Sequence, residues 1–130
     1  MTVEKITPVL FVEEIEPCLG FWVERLGFDR TMEVPDGQKL GFALLSKGNL
    51  EIMYQTFATQ QKENPPLAEE FRRGPTFLYI EVSSLDAIIE VMKKVPVFLP
   101  VRTTFYGTRE IGYKDPAGHL VVFSELIAAS

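Results

Sequence analysis

The stretch ITPVLFVEEIEPCLGFWVERL, residues 6–26, carries two hydrophobic periods in succession. Residues 6–12 read as a strand. Ile15, Cys18, Leu19, Trp22 and Leu26 then recur at the spacing that places side chains on one face of a helix. The helix starts between Glu14 and Pro17, since proline is tolerated in an initial turn and the neighbouring acids suit the positive end of the helix dipole. Gly27 releases the chain. Seventy residues later the pattern returns: residues 77–82 read as a strand, and Leu85, Ile88, Ile89 and Met92 repeat Ile15, Cys18, Leu19 and Trp22 at a constant offset of 70. Phe21 and Val91 correspond as well. The repetition lies in hydrophobic pattern more than in residue identity, and it predicts two similar strand-helix beginnings.

Each beginning is followed by three further strands. In the first half these are residues 28–34, 38–45 and 49–54, with Pro35-Asp36-Gly37 and Lys47-Gly48-Asn49 supplying turn chemistry between them. Residues 56–74 are polar, contain Pro65-Pro66 and read as a connector, with a brief helix over 67–71. In the second half the strands are 97–104, 108–114 and 119–125, the last two joined by the turn Asp115-Pro116-Ala117-Gly118. One short helix cannot cover a sheet alone, so the two halves are expected to pair in a common α+β domain that encloses a cleft. The domain spans residues 1–130, with internal modules at about 1–66 and 74–130.

Composition limits the partners. Thirteen Lys and Arg against 18 Asp and Glu give a net charge of -5, which offers nucleic acid no attractive field. A single cysteine excludes an internal disulfide, and no apolar run reaches the roughly 20 residues of a spanning helix. The expected partners therefore include neither nucleic acid nor membrane. The start of the sequence lacks a basic segment followed by an apolar secretion signal, which gives cytoplasmic placement as the expectation.

Three segments carry a family resemblance: PVLFVEEIEPCLGFWVERLGFD over residues 8–29, YIEV over 79–82 and REIGYKDPAGHLVVFSE over 109–125. Together they resemble the glyoxalase/bleomycin-resistance/extradiol-dioxygenase family, the vicinal oxygen chelate superfamily, across essentially the whole chain, and most closely its bleomycin-resistance-like branch. The resemblance implies two paired βαβββ modules forming a curved mixed sheet around a cleft. It also implies a homodimer with a ligand groove between subunits. Metal-dependent members of the family place His, Gln or Glu at four strand positions, matched here by Thr7, Glu51, Phe77 and Val122. Phe and Val side chains cannot coordinate a divalent ion, and a threonine hydroxyl is a weak substitute for imidazole or carboxylate. The family-type metal site is thus incomplete, and neither metal nor other cofactor is expected.

The ligand-binding candidates are Glu51, Phe77, Tyr106 and Arg109. Glu51 can meet a cation, accept a ligand hydrogen bond or act as a tuned base; it can equally be an exposed strand acid. Phe77 stands at a family cleft position and would replace coordination by apolar contact. Tyr106 and Arg109 share the segment 105–110, where a turn would bring an aromatic platform near a guanidinium, able to bind a planar anion. Arg109 can instead pair with Glu110 or Glu81. Tyr54 and Tyr79 add aromatic surface, whereas periodicity places Trp22 and Cys18 in the core and leaves no catalytic residue assigned. His119, after Gly118, reads as surface hydrogen bonding or packing.

The leading expectation is a metal-independent protein that binds or sequesters an unidentified small molecule, cationic or aromatic, as in antibiotic resistance, with catalysis the less favoured reading. The alternatives are a glyoxalase-related lyase, isomerase or dioxygenase, and a non-catalytic dimeric interaction protein.

Overall fold

The computed structural model describes residues 1–2, 4–66, 69 and 74–127, and the chain divides into two compact units, 1–74 and 75–130. The first unit runs β1 (Val9–Val12), α1 (Glu16–Leu19), a π-helical turn (Gly20–Glu24), β2 (Asp29–Asp36), β3 (Lys39–Lys47), β4 (Leu50–Thr56) and α2 (Phe57–Glu63). The second runs β5 (Phe77–Glu81), α3 (Leu85–Val91), β6 (Val97–Thr103), β7 (Thr108–Lys114) and β8 (Leu120–Leu126). Each unit holds one four-stranded mixed sheet, ordered β1-β4-β3-β2 and β5-β8-β7-β6, so the second order repeats the first strand for strand. The α+β class and the two βαβββ modules therefore hold, each module carrying its own four-stranded mixed sheet.

In the first unit, Leu10, Val12, Ala43, Leu45, Ile52 and Tyr54 are buried on the sheet, and Ile15, Cys18, Leu19 and Trp22 are buried on the helix. The Trp22 Nε1–H donates to the Tyr54 hydroxyl at 2.8 Å, tying the helical segment to β4. Tyr54 is thus a core residue, fully shielded from solvent. The π turn buries both Phe21 and Trp22, whereas Val91, the counterpart of Phe21 in an ordinary α-helix, is exposed. The Phe28 N–H returns to the Trp22 carbonyl at 3.0 Å, closing the segment at Gly27. In the second unit, Leu85, Ile88 and Met92 of the helical segment are buried with Ile111, Tyr113, Val121 and Phe123 of β7 and β8.

Several strand edges differ from the sequence reading. β1 begins at Val9, and the three residues before it, Ile6 to Pro8, lie outside the strand. Pro35 and Asp36 belong to β2, whose last pair is Asp36 with Lys39, leaving Gly37 and Gln38 as the turn. Proline fits there because β2 is an edge strand, where a missing N–H disrupts no second ladder; Pro100 in edge strand β6 follows the same logic. The connector contains α2, capped by Thr56, whose Oγ1 accepts from the Thr59 N–H at 3.2 Å. The brief helix expected over 67–71 falls on residues of which only Glu69 is described. The Asp115–Gly118 turn closes as read: the Gly118 N–H meets the Asp115 carbonyl at 2.9 Å, with Gly118 at φ 94°. Among the described residues, no helix is long and apolar enough to cross a membrane.

Gly41 in β3 marks where α2 comes down on the sheet. A Cβ there would stand 2.5 Å from Thr59 Cγ2 and 3.0 Å from Asp36 Cβ. Gly41→Ala should therefore cost about 1–3 kcal/mol, the usual range for forcing extra volume into a packed position, as read by the urea midpoint at unchanged slope.

Candidate functional site

Alternation along the strands gives the second sheet two different faces. Ile111, Tyr113, Val121 and Phe123 turn toward α3, which leaves Phe77 and Tyr79 of β5, Glu110 and Gly112 of β7, and Val122 and Ser124 of β8 on the other side. That second face bounds a cavity of about 320 Å³. Phe77, Leu99, Pro100 and Val122 supply apolar wall, while Tyr79, Arg102, Tyr106 and Glu110 supply polar groups. Gly112 matters to its shape, because a Cβ at that position would meet Leu99 atoms at 3.0–3.1 Å. A side chain there would press on the β6 wall.

Glu110 is the centre of the polar part. Only 3% exposed, it gathers donors from three places along the chain. The Tyr79 hydroxyl donates to Oε2, the Thr108 hydroxyl donates to Oε2 at 3.0 Å, Arg102 Nη2 donates to Oε1 at 3.1 Å, and the Tyr106 hydroxyl reaches both oxygens at 3.1 and 3.2 Å. Burial pushes the carboxyl upward, but the hydrogen bonds from Tyr79, Thr108, Arg102 and Tyr106 outweigh it and hold the group at about 2. The Tyr79 hydroxyl is raised in turn, chiefly by its bond to Glu110. Such a carboxylate is ionised at neutral pH and too weakly basic to serve as a general base there. What it does is fix Arg102 and the two tyrosines around one edge of the cavity.

The four sequence candidates separate. Phe77 and Tyr106 line this cavity. Arg109 faces the opposite side of β7, with Nη2 3.5 Å from Asp86 and Nη1 3.9 Å from Glu125, and its partners are neither Glu110 nor Glu81. Glu51 belongs to the first unit, where its carboxylate accepts from Lys5 Nζ at 2.8 Å and from the Thr7 hydroxyl at 3.0 Å. Those two bonds, Lys5 first, lower the Glu51 carboxyl. His119 is buried, and its Nδ1 accepts the Thr76 N–H at 2.8 Å. Arg102 and Glu110 were not singled out from the sequence. Their signal is the period-2 run Thr108, Glu110, Gly112 paired across the 104–107 turn, which sets Arg102 opposite Glu110.

The donor chemistry does not fit a family-type metal. Phe77 and Val122 carry no ligand atom, the Thr7 hydroxyl is already donated to Glu51, and Glu51 is paired with an ammonium. Among the described residues, no group of three or more His, Cys, Asp or Glu side chains is placed to hold an ion.

The family model described as the Glyoxalase/Bleomycin resistance protein/Dioxygenase superfamily matches residues 5–123, and the chain belongs to that superfamily. Solved structures agree on the fold. A lactoylglutathione lyase from Agrobacterium tumefaciens superposes with a TM-score of 0.76 at 14% identity, covering 96% of this chain and 95% of that one. The bleomycin-binding protein from bleomycin-producing Streptomyces verticillus, complexed with copper(II)-bleomycin, gives 0.63 at 25% identity, with 100% and 99% covered. A glyoxalase/bleomycin resistance protein/dioxygenase from Nocardioides gives 0.75 at 18%, with 99% and 89% covered. No curated protein matches the sequence.

Proposed function

We propose that this chain binds a small aromatic molecule reversibly and without a metal, in the manner of the bleomycin-resistance-like branch. The observation that carries the reading is the cavity on the second sheet, where Phe77 and Val122, the positions matched to family metal ligands, form apolar wall instead. The one buried carboxylate at that cavity, Glu110, is held ionised with both oxygens engaged, which suits a scaffold more than a proton-transfer catalyst. Whole-chain likeness to the Streptomyces verticillus bleomycin-binding protein at 25% identity supports the branch. Exposed Phe98 and Val101 on edge strand β6 support a homodimer as part of the same proposal.

Calorimetric titration tests it, using copper(II)-bleomycin and a panel of planar aromatic compounds. Saturable binding is expected for at least one compound, with the compound recovered unchanged. For the metal-free compounds the affinity should be indifferent to EDTA. Phe77→Ala should weaken binding about tenfold, in line with losing one well-placed aromatic contact. Absence of saturable binding throughout, or turnover that depends on added divalent metal, would overturn the proposal.

A further inference from the structure

The chain is acidic overall, yet the charge that a molecule entering the cavity can touch has the opposite sign. Glu110 is 3% exposed, and its two oxygens already accept from Tyr79, Thr108, Arg102 and Tyr106. An ammonium would find there a carboxylate it cannot approach without displacing those donors. The Arg102 side chain, by contrast, is 62% exposed; it meets Glu110 through Nη2 and also the Tyr106 hydroxyl, and its five-donor planar fork still keeps further N–H groups for a ligand. The tyrosine hydroxyls compete little as donors, since Tyr79 and Tyr106 both direct their protons at Glu110. Beside the guanidinium stand the apolar walls formed by Phe77, Leu99, Pro100 and Val122.

We propose that the second-unit cavity selects a small aromatic acid, its carboxylate on Arg102 and its ring against Phe77 and Val122. This rests on the binding function proposed above and specifies the ligand class, replacing the cationic ligand that net charge alone suggests. Glu110 acts here as a positioning residue: it anchors one side of the guanidinium so that the other side is presented with its plane fixed. Because Glu110 balances the charge of Arg102, the selectivity comes from directed, charge-assisted hydrogen bonds more than from a long-range field. The preference is therefore bounded at about tenfold to a hundredfold, the range of a hydrogen bond to a charged group.

Three probes of one shape separate the possibilities: 1-naphthoate, its neutral amide 1-naphthamide, and 1-naphthylmethylammonium, each titrated calorimetrically at pH 7 into the full chain. Naphthoate is expected to bind at least tenfold more tightly than the amide, with the ammonium weakest. Arg102→Gln should weaken the acid far more than the amide and so erase the difference between them, and Arg102→Lys should restore part of it. Arg109→Gln, on the other face of β7, should change none of the three. Amide shifts in a nuclear magnetic resonance titration should centre on β5, β6, β7 and β8. Equal binding of all three probes, or preference for the ammonium, overturns the acid specificity while leaving aromatic binding standing. No saturation by any of the three probes overturns the aromatic-acid specificity, while the binding function falls only if copper(II)-bleomycin and the aromatic panel also fail to saturate; an acid preference that survives Arg102→Gln or maps away from these strands overturns the assignment to Arg102.

Discussion

Trp22→Ala is expected to lower the unfolding free energy by about 3–5 kcal/mol, the largest effect of any single truncation in the first unit. The indole is 2% exposed and meets Phe21 and Phe28 edge-on, both at 5.3 Å between ring centroids. Its Nε1–H is also the donor to the buried Tyr54 hydroxyl. Alanine removes the ring, the two edge contacts and the donor together, and the flanking side chains sit on different elements that cannot all close on the gap. Trp22→Phe keeps most of the apolar volume and loses the hydrogen bond, so it should cost less, about 1–3 kcal/mol. Met92, which occupies the equivalent place 70 residues on, should cost about 2–5 kcal/mol on truncation, since it makes no side-chain hydrogen bond and is flexible enough for its neighbours to fill around. Urea unfolding of the three variants checks the order; a Trp22→Ala loss below that of Trp22→Phe would contradict the packing described here.

The same residues explain what the sequence discloses and what it hides. A repeated stripe, Ile15, Cys18, Leu19, Trp22 and then Leu85, Ile88, Ile89, Met92, reveals both helices because each must bury one face on a sheet. Strand β7 is found at residues 108–114 because its turns are chemically distinct at both ends. Helix α2 is missed because only Gln60 of its seven residues is buried, so it carries no apolar stripe; the signal is the capping threonine Thr56. Pro35 looks like turn chemistry and is strand, since sequence does not say which strand lies at an edge. At the candidate site, Phe77 is reached through the family resemblance, which matches it to a cleft position, whereas Glu110 looks like an ordinary polar residue between Arg109 and Ile111. Its meaning depends on Tyr79 and Arg102 arriving from β5 and β6, and that convergence is a property of the sheet order, not of any local pattern.

Acid should expose the role of Glu110. Its carboxyl stands at about 2 in the fold, below its ordinary value of 4.5, so its contribution is complete above about pH 4.5 and is lost as pH falls toward 2. In that window the unfolded chain binds the proton more readily than the folded one, and stability must fall with falling pH. Full conversion of the shift would overstate the size, because Arg102 is 62% exposed and its share is screened by water; a loss on the order of 2 kcal/mol is expected. The depressed Glu51 carboxyl contributes a drop of the same sign, so the wild-type profile alone does not isolate Glu110. Glu110→Gln does. It should destabilise the protein by about 2–3 kcal/mol at pH 7, where four donors lose an ionised acceptor, and the gap between variant and wild type should narrow progressively from pH 4.5 to pH 2. Calorimetric unfolding of both proteins across that range reads the gap directly. A gap that stays constant with pH would mean that the carboxylate's charge is not what holds Tyr79, Arg102 and Tyr106 together.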